Sequence, residues 1–359
     1  MANTPVVCPE KKYHGGKTMK ALQKVMFALV VLISLGGMSF AGGKKDAAPA
    51  STTAAAKKVT IVVMPKLVGI PYFNASEVGA KKAGADLGVN VIYTGPTTAD
   101  AAEQVRMLED LISKGVDAIC VAPNDAAALS PVLKKAKAAG IVVLDWDTPA
   151  DKSLVDLSVH QIDDKIYGQH NWDLLVKEMG DTGDYAIITG GLSAANLNGW
   201  IDAGLAYAKT AYPKLNLVTD KIPSDEKQQI AYQKALDLIK AYPNLKGIIG
   251  VSTPAPLGAA QAVQEKGLKA KIAVVGTALP TSSRPFLEDG SLRVATLWDP
   301  AKLGYLTVVL ANDLLKGKKP VDGQDVANVG KITVWADGKT VIMGPPSDFT
   351  KENAKDYAF

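Results

Sequence analysis

The chain has 359 residues, 40 lysines and arginines against 36 aspartates and glutamates, a formal charge of +4 and 47% apolar residues. This length suits two α/β lobes of ordinary size. The small positive balance gives no reason to expect a nucleic-acid partner, and two cysteines are too few for a disulfide framework.

In chain order, Met19 to Ala41 reads as an export signal. Lys20 and Lys24 form its basic region, Met26 to Gly36 its apolar run, and Ser39-Phe40-Ala41 its cleavage positions. The run is shorter than the roughly 20 residues of a membrane span, although a retained anchor stays open as the alternative. Residues 1–18 are unusual ahead of a signal, so Met19 is the expected start. Cleavage near Ala41 removes five lysines and one glutamate, leaving 35 residues of each sign, so the basicity belongs largely to the leader. Cys8 precedes the signal. Cys120, in the apolar run DAICVA, reads as a small core residue. Residues 42–57, rich in Ala, Lys, Gly and Thr, read as a flexible tether.

From Val59 short apolar runs alternate with amphipathic segments. Strands are expected at 59–64, 90–93, 117–122, 141–145, 157–160, 184–189, 215–219, 246–251, 272–276 and 293–298. Helices are expected at 74–87, 100–114, 125–139, 165–179, 195–211, 226–241, 255–266 and 300–316. In 100–114, Val105, Leu108, Leu111 and Ile112 share one face. Near-continuous apolar strands separated by helices predict parallel sheets covered on both sides, hence an α/β, doubly wound architecture in two lobes joined by several strands. The first lobe is expected to comprise 58–160 plus about 300–330, and the second 161–299 plus about 331–359. Residues 331–335 and 340–343 flank Ala336-Asp-Gly-Lys, a hairpin signal.

Ligands of open α/β sheets bind beyond the carboxyl ends of the strands. That rule selects Lys66, Tyr72 and Phe73 after the first strand, Asn124 after the third, and Asp145 and Asp147 at the fourth. It also selects Asn196, Thr253, Thr277, Trp298 and Asp299 in the second half. Aromatic faces can cover the C–H patches of a sugar while fixed polar groups bond its hydroxyls. Each candidate has a plainer reading: Asn124 and Asp125 as a helix N-cap, Tyr72 as a seal of the first helix, Trp200 as core. Of Asp145 and Asp147, only one need face the cleft. GxGxxG, P-loop, GxSxG, CxxC and HExxH patterns are absent from the sequence. His160 and His170 read as rim or capping residues, and no metal, cofactor or catalytic residue is expected.

On PKLVGIPYF (65–73), GADLGVNVIYTGPTTAD (84–100), VLDWDT (143–148), LWDPAKLGY (297–305) and FTKENAKDYAF (349–359), the chain resembles the type I periplasmic sugar-binding proteins of ABC importers. Within them it resembles the branch holding rhamnose-binding and autoinducer-2-binding members. The resemblance covers 58–359 and implies two lobes, three hinge crossings, no catalysis and a ligand in the interlobe cleft. Lys66 and Asp147 match ligand-contacting residues of the autoinducer-2 binders. Asn196 and Leu197 stand where those binders have Asp and Gln, and Val251 and Thr253 where they have Pro and Ala, which disfavours autoinducer-2.

The resulting expectation is an exported, monomeric, periplasmic solute-binding protein. It would capture a monosaccharide, a deoxyhexose such as rhamnose or a related sugar, and deliver it to a membrane permease. A signalling receptor for autoinducer-2 or a sugar is the alternative, and an exported sugar-acting enzyme the remote one.

Overall fold

The structure is a computed structural model that describes residues 58–359; the expected signal and tether lie outside the described residues. The first part of the chain runs β1 (Thr60–Met64), α1 (Pro71–Leu87), β2 (Asn90–Tyr93), α2 (Ala101–Ser113), β3 (Ala118–Val121), α3 (Ala126–Ala138), β4 (Val142–Trp146) and β5 (Leu157–His160). The second part begins with α4 (Asp164–Met179), β6 (Thr182–Thr189), α5 (Ala195–Ala211), β7 (Lys214–Leu217), β8 (Ile222–Pro223) and α6 (Gln228–Ala241). It continues with β9 (Leu245–Gly250), α7 (Ala255–Glu265), β10 (Ala273–Thr277), α8 (Pro280–Asp289) and β11 (Val294–Leu297). Then come α9 (Pro300–Leu315), β12 (Asp325–Val326), β13 (Gly330–Lys331), β14 (Thr333–Val334), β15 (Thr340–Ile342) and β16 (Ser347–Phe349).

Local chemistry explains the elements. Strands β1 and β3 are apolar and almost wholly buried, as strands covered on both sides must be. Asp100 caps α2 by accepting from the backbone N–H groups of Ala102 and Glu103 at 2.8 and 3.0 Å. Pro71 opens α1, and Gly88 closes it in the left-handed region at φ 70°. Helix α8 escapes the sequence reading because Pro280 and Pro285 mark its segment as a loop, yet Pro280 sits in the first turn, where its missing N–H costs nothing.

Two sheets result, each with the parallel order 2-1-3-4-5 in its own strand numbering. The first is β2-β1-β3-β4-β5 and the second β7-β6-β9-β10-β11. In each, the order reverses at the first strand, so the crevice that accepts ligands opens there. The tail departs from the expected lobe assignment. Strand β15 pairs in parallel with β5 (Val341 opposite Val159), and β14 folds back on β15, so both complete the first sheet rather than the second. The reason is an open edge: β5 has an unpaired flank and the apolar run Val341–Met343 buries against it. Only β16 joins the second sheet, antiparallel to β11.

Helix α9 leaves β11 and packs on α1, β1, β3 and β4. The approach is close because glycines face backbone: a Cβ on Gly79 would stand 1.8 Å from the Ala301 carbonyl oxygen, and one on Gly304 2.0 Å from that of Ser76. The chain therefore passes between the sheets three times, at 161–163, 298–299 and 343–346.

His170 of α4 fastens β16, with its Nε2 2.7 Å from Asp348 Oδ1. The bond to Asp348 raises the imidazole above its usual value of 6.5. A group whose pKa rises on folding stabilises the fold below its unfolded value and loses that contribution as pH rises through the folded one. Replacing His170 with Asn should therefore cost about 0.5–1 kcal/mol at pH 5.5 and clearly less at pH 9, measured by urea unfolding. Equal losses at both would show that no charge is involved.

Candidate functional site

The carboxyl ends of the two sheets face each other across a cavity with about 310 Å³ of space between protein atoms, its open mouth included. The first sheet's side contributes Lys66, Ile70, Tyr72, Phe73 and Asp147. The second contributes Asn196, Leu197, Trp200, Glu226, Val251, Ser252, Thr253 and Thr277, with Trp298 at the second crossing.

Lys66 is the electrostatic centre. Its Nζ lies 3.4 Å from Glu226 Oε1 across the cleft and 3.9 Å from Asp147 Oδ2 on its own side, and all three side chains are buried. Asp147 Oδ1 accepts from the Tyr72 hydroxyl at 2.7 Å, and that hydroxyl accepts from Trp298 Nε1 at 3.0 Å. Burial, reinforced by the Asp147 charge, holds the Tyr72 phenol far above its ordinary value, so it stays a donor. Asp147 and Glu226 are both left-handed, at φ 63° and 57°, a conformation costing a side-chain-bearing residue about 1–2 kcal/mol. Two carboxylates held this way on either side of one ammonium mark the cavity as a candidate functional site.

Aromatic rings form the walls. Trp298 meets Tyr72, Tyr167 and Trp200 edge-on, with centroids 6.2, 5.4 and 5.7 Å apart. The Trp200 indole N–H donates to Asp164 at 2.6 Å, and burial raises that carboxyl to about 6. Asn196 Oδ1 and Ser252 Oγ are buried without a hydrogen-bond partner, a costly state that an incoming donor would relieve.

Eight of the eleven expected residues line this cavity: Lys66, Tyr72, Phe73, Asp147, Asn196, Thr253, Thr277 and Trp298. Three stand outside it. Asp299 caps α9, accepting from the backbone of Ala301 at 2.9 Å. Asn124 braces the site from behind: its Nδ2 donates to the Lys66 carbonyl at 2.7 Å, and its own N–H donates to Gln104 Oε1 at 2.9 Å. The helix cap beside it is Asp125 alone, bonded to Ala128 N–H at 3.0 Å. Asp145 points away, accepting from Ala150 N–H at 2.7 Å and from the Ser158 hydroxyl, which lies 3.0 Å from His160 Nε2. Asp147 faces the cavity because the chain turns left-handed there.

Sequence reading missed Glu226, which looked like the first residue of a polar helix. The helix starts two residues later, and Ser224 holds the preceding turn by donating twice to the Thr189 carbonyl, at 2.8 and 2.7 Å. No local sequence signal marks Glu226; in the fold, Gly190 leaves room for its carboxylate, since a Cβ there would stand 2.2 Å from Glu226 Oε1. Trp200, read as core, is both buried and part of the wall.

Burial raises Asp145 to about 7 despite the hydrogen bonds it accepts. The folded chain thus holds this proton more tightly than the unfolded one. The contribution to stability is complete below the ordinary value of 3.8 and is lost as pH rises through about 7. Asp145→Asn should remove a decline of up to about 1.4 kcal/mol per pH unit across that window. Parallel stability profiles for variant and parent would clear Asp145 of the effect.

Residues 61–319 match the family described as periplasmic binding protein domain. The ribose import binding protein RbsB of Bacillus subtilis is 26% identical over 265 residues, covering 73% of this chain and 84% of RbsB. The solved LsrB of Clostridium saccharobutylicum, in complex with AI-2, superposes with a TM-score of 0.79 at 28% identity, covering 84% of this chain and 100% of that one. An ABC transporter solute-binding protein of Clostridium phytofermentas with bound L-rhamnose gives 0.77 at 30% identity, covering 84% and 99%. By its sequence match and its two α/β lobes of type I architecture, this chain belongs to the periplasmic binding protein family.

Proposed function

We propose that this chain is the extracytoplasmic solute-binding component of an ABC importer, capturing a neutral monosaccharide between its lobes and delivering it to a membrane permease. The observation that carries this reading is the division of polar groups. Lys66, Tyr72 and Asp147 stand on one side of the cavity and Asn196, Glu226, Ser252 and Thr253 on the other. A ligand bonded to both sides stabilises the closed arrangement over the open one, and that difference is the signal a permease can read.

The apolar wall of Ile70, Phe73, Leu197, Val251 and Trp298 favours a sugar with an extended C–H face, a deoxyhexose such as rhamnose or a related pentose. The rhamnose-bound relative at 30% identity supports the same class. Asp145 is turned away from the cavity, so the two carboxylates that face it are Asp147 and Glu226, and both engage the Lys66 ammonium. A second reading, reception of autoinducer-2, is supported by the likeness to the AI-2 complex and by the lysine and aspartate expected for that ligand. The departures at Asn196, Leu197, Val251 and Thr253 weigh against it.

Calorimetric titration tests these readings, using protein unfolded and refolded to strip carried-over ligand. L-rhamnose, ribose, xylose, galactose and autoinducer-2 would each be titrated without borate. Micromolar or tighter binding of one sugar is the expected result, and binding of autoinducer-2 alone would favour the receptor. Asp147→Ala should weaken the bound sugar by about 2 kcal/mol or more, because it strands the Tyr72 hydroxyl and removes a ligand acceptor. Unchanged affinity would take Asp147 out of the site.

A further inference from the structure

We propose that Glu226 makes the cleft a charge filter: it accepts hydroxyl hydrogen bonds from the second lobe and excludes ligands bearing a carboxylate or phosphate. The inference rests on the monosaccharide reading above and adds the residue that sets its limits.

Among the described residues lining the cavity, Lys66 is the one cation, set against the carboxylates of Asp147 and Glu226. Its ammonium is already shared between them, at 3.9 and 3.4 Å. An anionic ligand would have to compete for that ammonium inside a site where charge is poorly screened. Asp164, behind the Trp200 wall, adds a third carboxyl whose charge opposes an anion.

The lining is also rich in acceptors. Asn196 Oδ1 lacks a donor, the unpartnered Ser252 hydroxyl can accept as well as donate, and a carboxylate has about four acceptor positions, so the contact to Lys66 leaves Glu226 able to take ligand hydroxyls. Carboxylates and phosphates bring acceptors to a surface that calls for donors, whereas each sugar hydroxyl brings one.

The placement of Glu226 is specific. Its left-handed backbone turns the side chain inward, and the missing side chain at Gly190 makes space for its carboxylate, since a Cβ there would meet Oε1 at 2.2 Å. Gly190→Ala therefore displaces the carboxylate without altering it, while Glu226→Gln neutralises it in place.

The test measures binding of the tightest neutral sugar from the titration panel beside D-galacturonate, D-ribose 5-phosphate and 6-phosphogluconate. Parent protein, Glu226→Gln and Gly190→Ala are compared, with circular dichroism and melting temperature as folding controls. The parent should bind every anion at least about 100-fold more weakly than the neutral sugar. Either variant should weaken the neutral sugar by about 10-fold, and Glu226→Gln should narrow the gap to the anions. An anion bound within 10-fold of the neutral sugar by the parent would overturn the filter. So would a folded Glu226→Gln protein with unchanged affinities. If no sugar in the panel binds, the ligand released on unfolding, weighed by mass spectrometry, shows whether the monosaccharide reading stands: a released non-sugar would end it. The same ligand decides the filter: a neutral molecule supports it and an anionic one refutes it.

Discussion

A single buried ammonium organises this molecule. Lys66 projects from the loop after β1 into a space whose other charges are carboxylates, one from each lobe. Burying a lysine is unfavourable unless its charge is compensated, and compensation here requires both lobes. With the lobes apart, water would solvate all three groups. With them together, the ammonium and carboxylates exchange that water for one another. The left-handed turns at Asp147 and Glu226 make sense in these terms: local backbone energy is spent to aim two acceptors at one donor.

The rest of the first lobe's rim keeps that lysine in place. Gln104, fully buried, donates to the carbonyls of Pro65 and Ala122 at 3.1 and 2.9 Å and accepts from the Asn124 N–H, and Asn124 in turn holds the Lys66 carbonyl. The loops after β1 and β3 therefore form one bonded unit at the point where the strand order reverses. The Asn124 carbonyl also accepts from Ser193 of the opposite lobe at 2.8 Å, so the brace and the closure share a residue. Asn124 matters to the cavity without lining it.

Much of this was legible in the sequence, for identifiable reasons. Apolar runs such as Ile61–Met64 and Ile119–Val121 have no other stable home than a doubly covered sheet, and the carboxyl-end rule then points at Lys66, Asp147 and Thr253 through topology alone. What escaped depends on events that no local pattern encodes. Glu226 reaches the cleft through a turn tied to a strand 35 residues earlier. The direction of Asp145 is set by Ser158 and Ala150, and the capture of β15 by the first sheet depends on the exposed flank of a strand more than 180 residues away. In each case the sequence offers a chemically suitable residue, and tertiary geometry selects its partner.

The three passages between the lobes also shape how the molecule bears load. A single tether would let two bodies swivel, twist and separate. Three short segments in parallel restrict them largely to bending about the line the segments define. The carboxyl ends of both sheets lie beside that line, so a modest rotation there changes the spacing between Lys66 and Glu226 directly, as the jaws of a tweezer move when its spring is squeezed. With the return of α9 and β15 to the first sheet, the chain visits each lobe twice, and three connections rather than one constrain how the lobes can move.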